Sequence, residues 1–175
     1  MKKSLSILLV SVLVLSFFVT SALAAEPIKL GKADFAAHGT KCFTIAVVAL
    51  QGDKIVAAYL DEYQFMPKDQ VVGVPNSDAG FGENFADPDK VLGSKKVNNE
   101  YYSNNMTRAG STVSIADNFA AIENYVVGKT ISELEAVLAA NDKQAMVDAV
   151  TGATLVDTHG YVAALVAAAK DALNN

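Results

Sequence analysis

The chain has 175 residues but only one cysteine and two histidines, and each scarcity closes off a class of function. Cys42 alone permits no internal disulfide and no Cys-rich zinc or iron-sulfur site. No Cys-x-x-Cys-His run is present, so c-type haem is excluded as well. His38 and His159 lie far apart with no Cys or Glu at metal-ligand spacing, and the sequence predicts no metal site. Cations are also in short supply: 14 Lys and Arg against 19 Asp and Glu give a net charge of -5 and a pI near 4.9. Without a basic stripe to neutralise phosphates, association with nucleic acid or anionic lipid is repulsive. Internal repeats and low-complexity linkers are absent, while 51% of the residues are hydrophobic, which describes one folded domain.

The first residues point to a compartment. Lys2 and Lys3 precede an almost unbroken apolar run over residues 7–19, and Ala22-Leu23-Ala24 puts small residues where a signal peptidase reads them. The run is shorter than the ~20 residues that span hydrocarbon. Residues 1–24 are therefore expected to be a cleaved secretory signal, leaving residues 25–175 as a single domain that is secreted or periplasmic and not inserted in a membrane. No cysteine at the cleavage site offers a lipid anchor. Loss of Lys2 and Lys3 takes the 14 cations to 12 against 19 acidic residues, a net of -7.

Residues 42–50 and 55–63 are dense in Val, Ile, Phe and Tyr, and Gln51-Gly52-Asp53-Lys54 joins them as a β-hairpin. The first run is apolar on both faces and reads as a central strand. The second reaches Asp61 and Glu62 near its end, where it meets solvent or a site. Residues 66–105, rich in Pro, Gly, Asn and Asp, read as a long surface excursion in which residues 71–74 can hide a short strand. Phe119, Ile122, Tyr125 and Val126 have helical spacing, ended by Gly128. Thr130 and Glu133 form a capping box for a helix carrying Leu134, Val137 and Leu138 that ends at Asn141 and Asp142. Val162, Leu165, Val166, Ala169 and Leu173 stripe a last helix, capped by Asp157 or Thr158. Strands first and helices later predict an α+β fold, an antiparallel sheet with a β-hairpin packed against helices.

Ahead of the last helix stands Asp148-Ala149-Val150-Thr151-Gly152-Ala153-Thr154-Leu155. Gly152 and Ala153 let a bulky group approach the backbone, Thr154 offers a hydroxyl, and a helix start beside it favours a phosphate. The same residues also make a plain turn into a capped helix, and spacing alone does not choose between the two.

The Asp148-x-x-Thr151-Gly152-Ala153-Thr154 run resembles the flavinylation motif of the FMN-binding domain family. That family includes flavin-carrying components of sodium-translocating NADH:quinone reductase and of Rnf complexes, and secreted flavoproteins of extracellular electron transfer. Tyr125-Val126-Val127-Gly128-Lys129-Thr130 resembles the family's segment before the motif, and Ser94-Lys95 with Met106 resembles, more loosely, a segment of its secreted members. The resemblance covers most of residues 25–175, and only the motif is specific. It departs at Val156 and Asp157, where relatives usually carry Thr and Ser, and at Asn104 and Asn105, where secreted relatives commonly carry Tyr-Gly.

The resemblance implies an FMN-binding-domain-like fold with FMN joined through a phosphodiester to Thr154 by a dedicated FAD:protein FMN transferase. It also implies cofactor contacts from Asp148, Thr151, Gly152, Ala153, Leu155, Lys95 and Met106, and redox partners in the membrane or envelope. The chain then reads as an extracytoplasmic electron carrier with no catalytic acid, base or nucleophile of its own. The alternative, which the departure at Val156 permits, is a flavin-free binding or envelope module. A reductase in its own right would need a substrate pocket, of which the sequence gives no sign.

The remaining candidates read as structural. His159 stands near Thr154 and can approach the phosphate or simply sit exposed in a first helical turn. Cys42 reads as a small buried hydrophobe. Asp61, Glu62, Asp87 and Asp89 lack an EF-hand spacing or a companion base and read as solvated charges. Tyr59, Tyr63, Phe65, Phe81 and Phe85 read as core packing, with one or two available to stack on a flavin ring.

Overall fold

The computed structural model describes residues 26–39, 42–75 and 87–175. The expected signal segment and Phe81 and Phe85 lie outside the described residues. Among the described residues, four strands, β1 (Ile28–Phe35), β2 (Cys42–Gln51), β3 (Lys54–Pro67) and β4 (Lys90–Ser94), precede five helices. These are α1 (Asn99–Arg108), α2 (Ile115–Val126), α3 (Ile131–Ala140), α4 (Lys143–Ala149) and α5 (Thr158–Asn174). The strands form an antiparallel meander in the order β1-β2-β3-β4, so the fold is α+β and the doubly apolar β2 is interior, as its composition predicts. None of the helices among the described residues is long and apolar enough to cross a membrane.

The hairpin is set by its turn. Gln51 pairs with Lys54 across Gly52-Asp53, and Gly52 has φ +63°, a conformation that costs most side chains energy. Along β2, alternation then sends Thr44, Ala46, Val48 and Leu50 to the buried face, where they meet Ile55, Leu60 and Glu62 of β3.

α5 closes that face. Its buried stripe includes Val162, Leu165, Val166 and Ala169 as the spacing predicts, whereas Leu173 is half exposed near the helix end. Ala168 and Ala172 lie against Gly31 of β1 so closely that a Cβ built there would stand 2.0 Å from the Ala168 carbonyl oxygen. The obstacle is backbone, which no side-chain rotation relieves. Gly31→Val should therefore destabilise the protein by about 3 kcal/mol, the upper range for overpacking. A urea midpoint unchanged in that variant would show that α5 is not seated on β1.

Strand β1 carries almost no sequence signal because its buried positions are Gly31 and partly Ala33, while Ile28 and Leu30 face solvent. The reading of residues 66–105 as one surface excursion is corrected. β3 runs on to Pro67, residues 71–74 form no strand, and β4 and α1 occupy the later part. α1 escapes notice because its composition is polar and its side chains serve backbone groups of another helix. The Asn99 and Ser103 side chains accept the Ala116 and Ile115 N–H groups at 3.1 and 3.0 Å, satisfying donors that the start of α2 leaves free. Asn98 ties the preceding turn to Val72 through its Oδ1 and Nδ2 at 2.7 and 2.9 Å.

The other helix signals hold, except that Asp157, at the N-cap position of α5, makes no side-chain cap hydrogen bond. Gly128, at φ +82°, follows α2, and both halves of the Thr130/Glu133 capping box are made. Asp142 ends α3 by capping a further short helix, α4, through the Ala145 N–H at 2.9 Å.

Candidate functional site

The motif folds as a tight turn between α4 and α5. Ala153 N–H donates to the Val150 carbonyl at 3.0 Å, and Gly152 adopts φ +92°, the left-handed region that disfavours side chains. A Cβ at Gly152 would meet the Ala121 methyl of α2 at 3.4 Å, so small residues on both sides let the turn settle on α2. Ala153 is buried beneath the turn and Thr154 is exposed at its end. Three residues, Leu155, Val156 and Asp157, separate Thr154 from the first helical residue, Thr158.

Thr154 and Leu155 form part of the lining of a cavity of about 510 Å³. Across it stand Tyr102 and Met106 of α1, with Lys95 and His38 among its polar lining. Four predicted residues, Thr154, Leu155, Lys95 and Met106, are thus brought to one cavity from three separate stretches of chain. Thr151 and Gly152 open instead onto a different groove, beside Asp117 and Tyr125 of α2. Asp148 is exposed on α4, and its carboxylate accepts from Gln144 one helical turn back at 3.4 Å. His159 is half-buried against the Leu138 carbonyl at 3.2 Å, which fits neither an exposed position nor one on the cavity.

Behind the cavity lies a buried polar cluster that corrects the reading of Asp61 and Glu62 as solvated charges: both are buried. Glu62 Oε2 contacts the Lys95 ammonium and accepts the Tyr161 hydroxyl at 2.8 Å, while its Oε1 accepts Thr44 Oγ1–H at 2.9 Å. Asp61 accepts the Ser94 hydroxyl and the Lys96 N–H, the latter at 3.2 Å. Burial opposes ionisation of Glu62, but His38, Lys95 and Tyr161 outweigh it and hold the carboxyl down at about 2. Burial likewise works against the Lys95 charge, and the Glu62 carboxylate overcomes it, keeping the lysine above its ordinary value.

His38 Nδ1 lies 3.1 Å from the Lys95 ammonium and 3.4 Å from Glu62 Oε2, and its Nε2 lies 4.0 Å from Asp157 Oδ2.

The fold also brings His38, Cys42 and Glu62 donor atoms within 4.8 Å of one another, which the sequence spacing hides. These are the donor types of a zinc site. The cluster already holds a cation, however, because the Lys95 ammonium touches Glu62 and lies 3.1 Å from His38 Nδ1. Burial and the nearby Glu62 push the Cys42 thiol up to about 11, away from the thiolate that a metal needs. A divalent ion would have to displace the ammonium, and the cluster is better described as an internal ion-pair cage.

Of the predicted aromatics, Tyr59 and Phe65 are largely exposed instead of in the core, and Tyr63 stacks on Phe43 at 5.5 Å, outside the cavity. Asn118, Tyr102 and His38 are site residues that the sequence reading missed. The first, fully buried in α2, accepts the Thr154 N–H at 2.6 Å and its hydroxyl at 3.3 Å. Searched against known proteins, the chain matches no family model, no curated protein and no solved structure.

Proposed function

We propose that the protein is an extracytoplasmic electron carrier with FMN esterified to Thr154. The observation that carries this reading is the convergence of Thr154, Leu155, Lys95 and Met106 on a single cavity of about 510 Å³. That volume lies within the ~300–1,000 Å³ typical of small-ligand sites. The donor set fits a flavin: a hydroxyl at the rim for the phosphate link, apolar and aromatic surface from Leu155, Met106 and Tyr102 for a planar ring, and Lys95 and His38 for its polar edge. Bound FMN would supply reversible storage of one or two electrons. The chain's own residues tether, pack and shield the group.

The two departures after the motif are compatible with attachment. Val156 is 68% exposed and does not obstruct the turn. The Asp157 carboxylate pairs with Lys143 at 3.0 Å, which offsets its charge beside a phosphodiester. The basic and apolar leader supports export, so the expected partners are an FAD:protein FMN transferase for the modification and membrane or envelope proteins for electron exchange.

Residues 25–175 coexpressed with such a transferase should gain the mass of one FMN phosphoryl group and a yellow colour that survives denaturation. A colourless chain of unchanged mass beside a competent transferase and FAD would overturn this reading in favour of a flavin-free binding module.

A further inference from the structure

We infer that Asn118 is the positioning residue that makes Thr154, and no other hydroxyl near the turn, the acceptor of the flavin phosphate. The inference rests on the flavinylation reading above. Asn118 is completely buried in the first turn of α2, and its amide orientation is settled by its partners. Nδ2 donates to the Val113 and Ser114 carbonyls at 3.2 and 2.9 Å, which uses both amide hydrogens. Oδ1 is then the atom that faces the turn, where it accepts both the backbone N–H and the hydroxyl of Thr154.

That geometry has a chemical consequence. An amide oxygen only accepts, so the Thr154 hydroxyl must point its hydrogen inward, which leaves the Oγ1 lone pairs for an incoming phosphorus. In the transfer, a bond forms between Oγ1 and the FMN phosphorus of FAD, the pyrophosphate P–O bond breaks and AMP leaves. The hydroxyl proton passes to a base of the transferase or to water, since Asn118 is no base. Its contribution is to hold the nucleophile in one rotamer at the cavity rim. Afterwards the bond to the Thr154 N–H persists and keeps the turn pinned to α2.

The two other threonines beside the turn in sequence are excluded by the same criteria. Thr151 is exposed on the other groove, away from the cavity. Thr158 is buried, and its hydroxyl donates to the Leu155 carbonyl at 2.6 Å. Thr154 alone of the three is both accessible and oriented toward the cavity by a buried acceptor.

The test uses purified residues 25–175 as substrate of an FMN transferase with FAD, following modification by mass and stability by urea denaturation. Asn118→Ala should lower the transferase kcat by about 10²-fold, the scale for a misplaced reacting group, with little change in KM. Asn118→Asp keeps an acceptor toward Thr154 but loses both amide donors. It should therefore be modified much faster than Asn118→Ala while being no more stable. A merely structural Asn118 would make the rates follow stability instead. Should the alanine variant not fold, Asn118→Ser, too short to reach Thr154, takes its place. An unmodified wild type overturns both readings together. A modified wild type with Asn118→Ala or Asn118→Ser at full rate, or with rates that track stability, overturns this inference alone.

Discussion

A Thr154→Ala chain coexpressed with an FMN transferase should gain no mass and stay colourless, whereas Thr151→Ala and Thr158→Ala should each gain one FMN phosphoryl group. The contrast is all or none because the link is a single ester oxygen. It does not depend on damage to the fold: the Thr154 N–H, which makes the shorter bond to Asn118, survives in the alanine variant. Only the hydroxyl bond is lost, a cost of about 1 kcal/mol. Circular dichroism of the variant should accordingly match the wild type. Flavin retained covalently by Thr154→Ala would refute the assignment of the site.

The largest effect on stability is expected at Lys95. Lys95→Met should cost about 3–5 kcal/mol at pH 7, because it strands the Glu62 carboxylate in a buried site with hydrogen bonds but no countercharge. Removing both charges in Lys95→Met/Glu62→Gln should recover much of that loss, since replacing a buried pair is far less costly than breaking one. The pH dependence separates the two. In the wild type the Glu62 carboxyl is depressed from 4.5 to about 2, so its contribution is complete above 4.5 and fades as pH falls through about 2. Without Lys95 that carboxyl loses part of what holds it down, so its titration should move upward and the penalty of the single variant should shrink as pH drops from 7 toward 4.5. A single variant as stable as the wild type, or one whose deficit is flat over that range, would show that Lys95 and Glu62 are not coupled as described.

What the residues revealed in advance, and what they hid, divides by the distance between partners. Gly52, the Thr130/Glu133 box and the α5 stripe act within a few positions, and each was readable because its partner stands beside it in sequence. Asp61 and Glu62 misled because two adjacent acids at the end of an apolar run look like a solvated strand end. Their partners are likewise adjacent, Ser94 and Lys95, but 33 residues away, and only the β3–β4 pairing brings them together. Asn118 was hidden for the same reason: one asparagine in an amphipathic helix carries no signal until the turn 36 residues later docks on it. The motif around Thr154 was legible as a turn, while its cavity was not, since Tyr102 and Met106 belong to a helix whose polar composition reads as a loop.

The seating of α5 on β1 bears on when this chain can fold. Lys29 and Leu173, joined by a hydrogen bond at 3.3 Å, are 144 residues apart, and the inner faces of β1 and β2 stay uncovered until α5 has been made. Contacts of such long range slow folding because loop entropy is lost before they form. A nascent chain ending anywhere before α5 lacks the element that seals its core and remains an open polypeptide. Under the export proposed above, a final helix that completes the hydrophobic interior would let passage through the membrane precede the acquisition of structure.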